Sequence, residues 1–289
     1  MFKLQCRHRR QLDWHVFEQK QSGDWFLSLL PEYAELFEKL EPDLMRKARS
    51  PWKESSSRKA MNLVLSGLTD IDIERVESFI GDFKRHVVLG ASRHIEPYFT
   101  NEVDFCLALD FNFASVEEGR YTEIGKLEYV AKYQGSTSAG DEIAERMASA
   151  FHRIPAADKS LDCCLTYIPP SPDKEYYLPR YLAEKIMSHP EMVCRMRTVN
   201  PLVRAELRTK KPNIKEIRFM QKIKKCERIY SVENVSLSAP VRGCCVYVID
   251  DLYKSGVSIW SFARCLKDAG AKSVMCLVCV KSCGDRDSS

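Results

Sequence analysis

One stretch constrains this chain more than any other. Val246-Tyr247-Val248-Ile249 is followed at once by Asp250-Asp251, then by Leu252-Tyr253-Lys254-Ser255-Gly256-Val257-Ser258 and an amphipathic run to Asp268. Four consecutive β-forming apolar residues leave no polar face, so they belong to a strand covered on both sides, as strands of a parallel sheet are. The two carboxylates then fall at the C-terminal end of that strand, where open α/β sheets bind ligands. Paired acidic residues also end strands and cap turns without any ligand, and that plainer alternative stays open here.

The rest of the chain repeats the strand-helix alternation. Strands are expected at Val103–Phe111, Leu161–Ile168, Cys244–Ile249 and Val274–Val280, and helices at Gly125–Tyr133, Asp141–Phe151, Tyr177–Met187 and Ile259–Asp268, the last closed by Gly270. This pattern predicts an α/β domain on a mostly parallel sheet over residues 94–289. Residues 1–93 differ. Phe26, Leu29, Leu30, Tyr33, Leu36, Phe37 and Leu40 recur at helical spacing, predicting a helix over Asp24–Leu40. A polar, proline-containing break spans Arg49–Arg58. A second helix starts after Thr69 or Asp70 and carries Ile71, Ile73, Val76, Phe79, Ile80 and Phe83 inward. The expectation is a helical accessory module, without catalytic motif, that packs on the rest or on a protein partner.

Composition narrows the class. In 289 residues, 45% hydrophobic and 29% charged, the longest apolar runs are of strand length and none spans a bilayer. No secretory signal is readable at the N-terminus, and the 12 cysteines sit scattered in apolar runs, so they are expected to be reduced thiols of a cytoplasmic protein. Cys276, Cys279 and Cys283 lack the second pair that a structural zinc site needs. The net charge of +4 is unevenly spread: residues 195–228 carry a local +9, leaving −5 elsewhere. That segment is expected to meet an anion.

The chemistry of the 246–258 stretch points the same way. A loop of small and hydroxyl residues at a helix N-terminus offers backbone N–H groups, the hydroxyls of Ser255 and Ser258 and the positive end of the helix dipole, all suited to phosphate. Gly256 allows close approach. Carboxylates cannot bind phosphate, but they accept hydrogen bonds from vicinal ribose hydroxyls or stabilise positive charge on a sugar ring. Together these imply a sugar phosphate.

Residues 246–258 resemble the thirteen-residue signature of type I phosphoribosyltransferases. Three further landmarks resemble the ComF-like branch: Gly125–Tyr133, ending in a Lys-Tyr pair; the strand and Pro-rich loop Leu165–Lys174; and the following helix Tyr181–Ile186. The resemblance covers about residues 98–289. It implies an α/β fold with a type I phosphoribosyltransferase-like parallel sheet flanked by helices, and a Mg²⁺-dependent displacement of pyrophosphate from phosphoribosyl pyrophosphate. Asp250 and Asp251 would be the catalytic carboxylates holding the ribose hydroxyls. Lys254, Ser255, Gly256, Val257 and Ser258 would bind the ribose 5-phosphate. Pro170, Ser171, Lys174, Arg208, Lys210 and Lys211 would meet pyrophosphate, with Mg²⁺ carried by the ligand and by Asp250 and Asp251. Lys254 stands where the family has a small or hydroxyl residue, and Glu175-Tyr176-Tyr177-Leu178-Pro179-Arg180 replaces the family's Arg-Gly-Phe-Asn-Gln motif. The family's N-terminal zinc ribbon is not found.

Two alternatives follow. The altered pyrophosphate loop fits a degenerate, nucleotide-sensing effector, and the basic 195–228 segment with Tyr230 beside it fits a nucleic-acid binder. Leu207–Asn213, rich in charge and with almost no apolar anchor, is expected to include a disordered or mobile portion and to act as a lid. Residues Lys215–Arg228 are expected to form a helix with Ile217, Met220 and Ile223 inward. The acceptor and oligomeric state stay open.

Overall fold

Pro31 decides the architecture of the first third of the chain. In the computed structural model, which describes residues 11–56, 60–90, 95–99, 101–155, 161–190, 192, 201–212 and 219–283, the apolar run before Pro31 is a strand and the run after it a helix. Proline lacks the N–H an interior helical position would use and is accepted in the first turn, so the single helix expected over Asp24–Leu40 cannot form. The elements are β1 (His15–Gln19), β2 (Trp25–Leu29), α1 (Pro31–Leu40), α2 (Pro42–Met45), β3 (Lys53–Glu54), β4 (Met61–Leu65) and α3 (Asp70–Arg85). The strands form an antiparallel sheet in the order β1-β2-β4-β3. The expectation of a wholly helical module over 1–93 is therefore corrected. Trp25, Phe26 and Leu27 have high β-propensity, and cross-strand pairing with Leu65, Val64 and Leu63 overrides their accidental helical spacing.

Helix α3 begins as expected. Thr69 accepts from the Asp72 backbone N–H at 3.3 Å, while the Asp72 carboxylate accepts from the Thr69 N–H at 2.8 Å, a reciprocal cap. Val76, Phe79, Ile80 and Phe83 are buried, but Ile71 is 70% exposed, because the first turn projects beyond the packed stripe.

The second part contains β5 (Val87–Val88), β6 (Phe105–Phe111), the hairpin of β7 (Phe113–Ser115) and β8 (Arg120–Tyr121), α4 (Glu123–Gln134), α5 (Thr137–Ala150), β9 (Cys163–Tyr167), α6 (Leu178–Ser188), β10 (Ala205–Leu207), α7 (Phe219–Ile229), β11 (Val235–Leu237), β12 (Cys245–Tyr253), α8 (Val257–Asp268) and β13 (Ser273–Lys281). The central sheet runs β5-β6-β13-β12-β9, with β6, β13, β12 and β9 parallel and the short β5 antiparallel at the edge. Helices cover both faces, so the fold is α/β as the alternation predicts. Val87 and Val88, placed with the N-terminal module by sequence, belong to this sheet. One core unites the faces of α1, α3, α4, α5 and α6 with β2 and β4, and a second packs α7 and α8 on the other side of the central sheet.

The outer edge of β9 is covered. Leu165 donates to the Pro201 carbonyl at 2.7 Å and accepts from Val203 N–H at 2.8 Å, forming a bridge with residues 201–203. In α7, Ile223, Cys226 and Ile229 face the core; Met220 is 45% exposed, against expectation, because it lies in the first described turn beyond that stripe, and Ile217 lies outside the described residues.

Candidate functional site

Strand β12 continues through the two carboxylates instead of ending before them. Asp250 pairs with Val278 and Tyr253 with Lys281 of β13, whereas pairing to β9 stops at Ile249. Asp250 and Asp251, expected at the C-terminal end of the strand, are thus followed by two further strand residues. They lie in an interior strand, 7% and 9% exposed, with a strand partner on one side only beyond Ile249.

Successive strand residues point to opposite faces, and the two carboxylates acquire different neighbours. Asp251 Oδ2 lies 3.0 Å from Lys132 Nζ, which rises from α4. Glu128, one turn earlier, lies 3.1 Å from the same ammonium, an ion pair without hydrogen-bond geometry. Burial opposes the charge on Lys132, but Asp251 and Glu128 outweigh it and hold the ammonium well above its ordinary range. Glu128 itself is pushed up, mainly by burial.

Asp250 has no such partner. Burial, reinforced by the charge of Asp251, raises its carboxyl to about 8, while Lys132 and Lys211 oppose the shift from a distance. Its Oδ1 accepts the Asp251 backbone N–H at 3.0 Å. Lys211 faces the same space: burial lowers its ammonium to about 8, Asp250 works against that and Lys174 adds to it. Its Nζ lies over the ring of Tyr230 at 5.1 Å. Tyr230, buried, and Tyr177, half-buried, are both shifted upward chiefly by loss of solvent and also sense the charge of Asp250.

After β12 the turn is short. Lys254, Ser255 and Gly256 lead directly into α8, so Val257 and Ser258 are its first helical residues and not part of a loop. Gly256 caps the helix at φ 83° and has no side chain to satisfy the helix. The N–H groups of Val257, Ser258 and Ile259 are therefore left without intrahelical acceptors. They face a cavity of about 190 Å³ lined by Lys222, Asp250 and residues 252–259. The Ser258 hydroxyl hydrogen-bonds the side chains of Cys226 in α7 and of Tyr230, the residue after that helix, which ties the first turn of α8 to the opposite wall.

Two supports of this loop were not legible in the sequence. Lys281, at the end of β13 and 1% exposed, donates to the Lys254 carbonyl at 3.0 Å. Tyr253 packs beneath the turn and accepts from Trp260 Nε1 at 3.2 Å. A Cβ on residue 256 would stand 2.2 Å from the Tyr253 Oη. The space that Gly256 keeps clear is thus filled by Tyr253, not reserved for a phosphate, as the sequence reading supposed.

The pyrophosphate candidates divide. Pro170 is buried and Ser171 half-buried, and the Ser171 hydroxyl accepts the Lys211 backbone N–H at 3.3 Å. Lys210 pairs with Asp173 at 2.7 Å, and Lys174 lies over the Tyr177 ring at 5.4 Å. Residues 208–211 are anchored: Leu207 is buried in β10, Arg208 N–H donates to the Asn234 carbonyl at 2.8 Å, and Thr209 donates to the Asn234 side chain. The expectation of a segment without apolar anchor is corrected for Leu207, because β10 pairs with β11; Asn213 lies outside the described residues. Of the expected cations, Lys211 is half-buried and within reach of the charge of Asp250, while Arg208 and Lys210 are exposed.

Glu128, Lys132, Tyr177, Lys222 and Tyr230 complete the surroundings. Only the Glu128–Lys132 spacing of four residues on a helix gave a usable signal. A larger recess, about 400 Å³ between α3, β6, α4 and α5, is lined by His86, Asp110, Glu123 and Arg146; it takes in the first turn of α4, where the Thr122 hydroxyl already accepts the Gly125 N–H, and Arg146 there is paired with Glu123. Among the described residues no helix is long and apolar enough to cross a membrane.

No protein-family profile matches the chain, and no curated protein matches it. Among solved structures, it is similar to a hypoxanthine phosphoribosyltransferase from Staphylococcus aureus, with 11% identity over 61% of this chain and 76% of that one and a TM-score of 0.29. It is also similar to a hypoxanthine-guanine phosphoribosyltransferase from Bacillus anthracis, with 8% identity over 52% of this chain and 73% of that one and a TM-score of 0.33. Overlaps this shallow carry no inference about chemistry, which rests on the side chains described above.

Proposed function

We propose that the protein binds phosphoribosyl pyrophosphate, or a nucleotide sharing its ribose 5-phosphate, at the C-terminal end of β12, and displaces pyrophosphate from it. The observation that carries this reading is the arrangement of Asp250 and Asp251 beside the open N–H groups of α8. Asp250 and the first turn of α8 line one cavity, and Asp251, the next residue of β12, turns to the other face beside Lys132.

The residues divide the work. Val257, Ser258 and Ile259 N–H groups hold the 5-phosphate, with Lys281 and Tyr253 fixing the turn that aims them. Asp251, held by Lys132, accepts from a ribose hydroxyl. Asp250, protonated below about pH 8 while it is short of positive charge, stabilises in its ionised form the cationic character that develops at the ribose ring as pyrophosphate departs. Lys211 and Ser171 meet the leaving group.

The donor set fits a magnesium ion. Adjacent carboxylates supply the hard oxygens it prefers, and Asp250 is the one not already engaged with a lysine. Mg²⁺ would supply charge neutralisation for the leaving pyrophosphate. The resemblance of residues 246–258 to the family signature supports the same assignment.

Calorimetric titration with phosphoribosyl pyrophosphate, with and without Mg²⁺, followed by pyrophosphate release across purine, pyrimidine and amine acceptors, tests the reading. Saturable binding lost in Asp250→Asn/Asp251→Asn supports the site, and turnover supports the transferase. Binding without turnover identifies a sensor. No binding to the folded protein removes the assignment.

A further inference from the structure

The opposite end of the same two strands holds a separate piece of chemistry. Cys163 opens β9 and Cys245 opens β12, and the two are register partners on neighbouring strands. Their Cα atoms are then about 4.8 Å apart, inside the window of about 4.4–6.8 Å that a disulfide spans. Cys245 is fully buried, whereas Cys163 is partly exposed.

The two sulfurs are in hydrogen-bond contact, and the Tyr247 side chain reaches both of them. As a thiol, Cys163 donates to the Leu161 carbonyl at 3.7 Å. As a thiolate, it is stabilised by the Cys245 S–H and the Tyr247 hydroxyl. The Cys245 contact, opposed by burial and by the charge of Asp162, holds the Cys163 thiol down at about 7, while Cys245 is pushed far up. An exposed, ionisable sulfur touching a buried thiol is the arrangement of an attacking and a resolving cysteine. The neighbouring Cys164 and Cys244, also one buried and one partly exposed thiol, are not register partners, since Cys164 pairs with Val246, and burial raises both thiols.

We propose that Cys163 is a modification site for small hydroperoxides, with Cys245 as its resolving thiol. The Cys163 sulfur attacks one peroxide oxygen, the O–O bond breaks, and the other oxygen leaves as water or alcohol after taking a proton. Cys163 is then a sulfenic acid, oxidised by two electrons as the peroxide is reduced. The Cys245 sulfur, giving up its proton, attacks the Cys163 sulfur; the S–S bond forms, the S–O bond breaks and the hydroxyl leaves as water. Return to the dithiol takes two equivalents of an external thiol. Cys245 precedes Asp250 by five residues, about 16 Å along the strand, so this site stands apart from the ribose-phosphate site.

The test uses the full chain with hydrogen peroxide. Brief alkylation with iodoacetamide at neutral pH, read by peptide mass spectrometry, should label Cys163 roughly tenfold faster than Cys244 or Cys283, the other partly exposed described thiols. Peroxide should then protect Cys163 and Cys245 from alkylation together, reversibly with dithiothreitol, and should do so in Cys164→Ala/Cys244→Ala. In Cys245→Ala the cross-link should vanish and dimedone should tag Cys163. Equal labelling of the three thiols, a cross-link that survives Cys163→Ser, or a disulfide confined to Cys164 and Cys244 overturns the proposal. The wild-type alkylation race needs no variant to fold.

Discussion

At the scale of single residues, Asp250 carries an unrelieved electrostatic cost in the candidate site. Its carboxyl is raised to about 8 in the fold against about 3.8 when unfolded, so between those values the folded state holds a proton the unfolded chain has released. Stability from this group is complete below about pH 4 and is lost as pH rises toward 8. Asp250→Asn is therefore expected to flatten the fall of the melting temperature between pH 5 and 8 and to raise it by several degrees at pH 8, while weakening ribose-phosphate binding at least tenfold; differential scanning fluorimetry across pH and calorimetry check both halves. Lys132 should behave oppositely. Lys132→Met leaves Glu128 and Asp251 buried without their cation, a loss of about 3–5 kcal/mol that denaturant titration would measure. Asp250, Asp251, Ser255 and Gly256 were legible in the sequence because their order along one strand and turn is itself the pattern. Lys132, Lys211 and Lys281 were not legible as partners, because their roles depend on which helix or strand the fold sets beside β12, and spacing along the chain does not encode that.

Among the elements, the junction of β12 and α8 gives the sharpest expectation. With φ at 83° and Tyr253 Oη 2.2 Å from any Cβ, Gly256→Ala should destabilise the ligand-free protein by about 1–3 kcal/mol. A loss of binding in Gly256→Val would accordingly report the turn and not the phosphate, so Lys281→Met, which removes the clamp on the Lys254 carbonyl, is the better probe of the loop. It should weaken phosphate-containing ligands more than it lowers the melting temperature; a variant that binds them normally would show that the clamp is irrelevant to the loop. The central-sheet strands and their helices from residue 103 onward were legible because both faces of that sheet are covered, which makes the strands uniformly apolar; the short pairs β7-β8 and β10-β11 were not, because two or three residues carry no periodicity. The N-terminal sheet was not. There Trp25–Leu29 carries apolar residues whose spacing matches a helix as well as a strand, and only the partners β1 and β4, distant in sequence, settle which forms.

For the molecule as a whole, the two sheets are joined by charge as well as by a shared core. Arg153, 4% exposed, reaches from the end of α5 to Asp82 at 2.7 Å, to the Ser78 hydroxyl at 2.7 Å and to Glu41 at 3.4 Å. Arg153→Met should cost about 3–5 kcal/mol and split one thermal transition into two, visible by calorimetry; a single unshifted transition would show that the apolar core alone couples the parts. The strand order has a consequence for how the chain is made. In β5-β6-β13-β12-β9 the two strands synthesised last, β12 and β13, lie between β6 and β9, which are never neighbours. Until β13 has emerged, near residue 281, β6 has only the two-residue β5 to pair with, and until β12 has emerged β9 has only the bridge at residues 201–203. Folding of the central sheet therefore waits for the last strands, and at synthesis rates of about 5–20 residues per second β6 stands exposed for many seconds after it is made. A nascent chain of this topology depends on being shielded during that interval, and its yield should respond to chaperone supply more than its final stability would indicate.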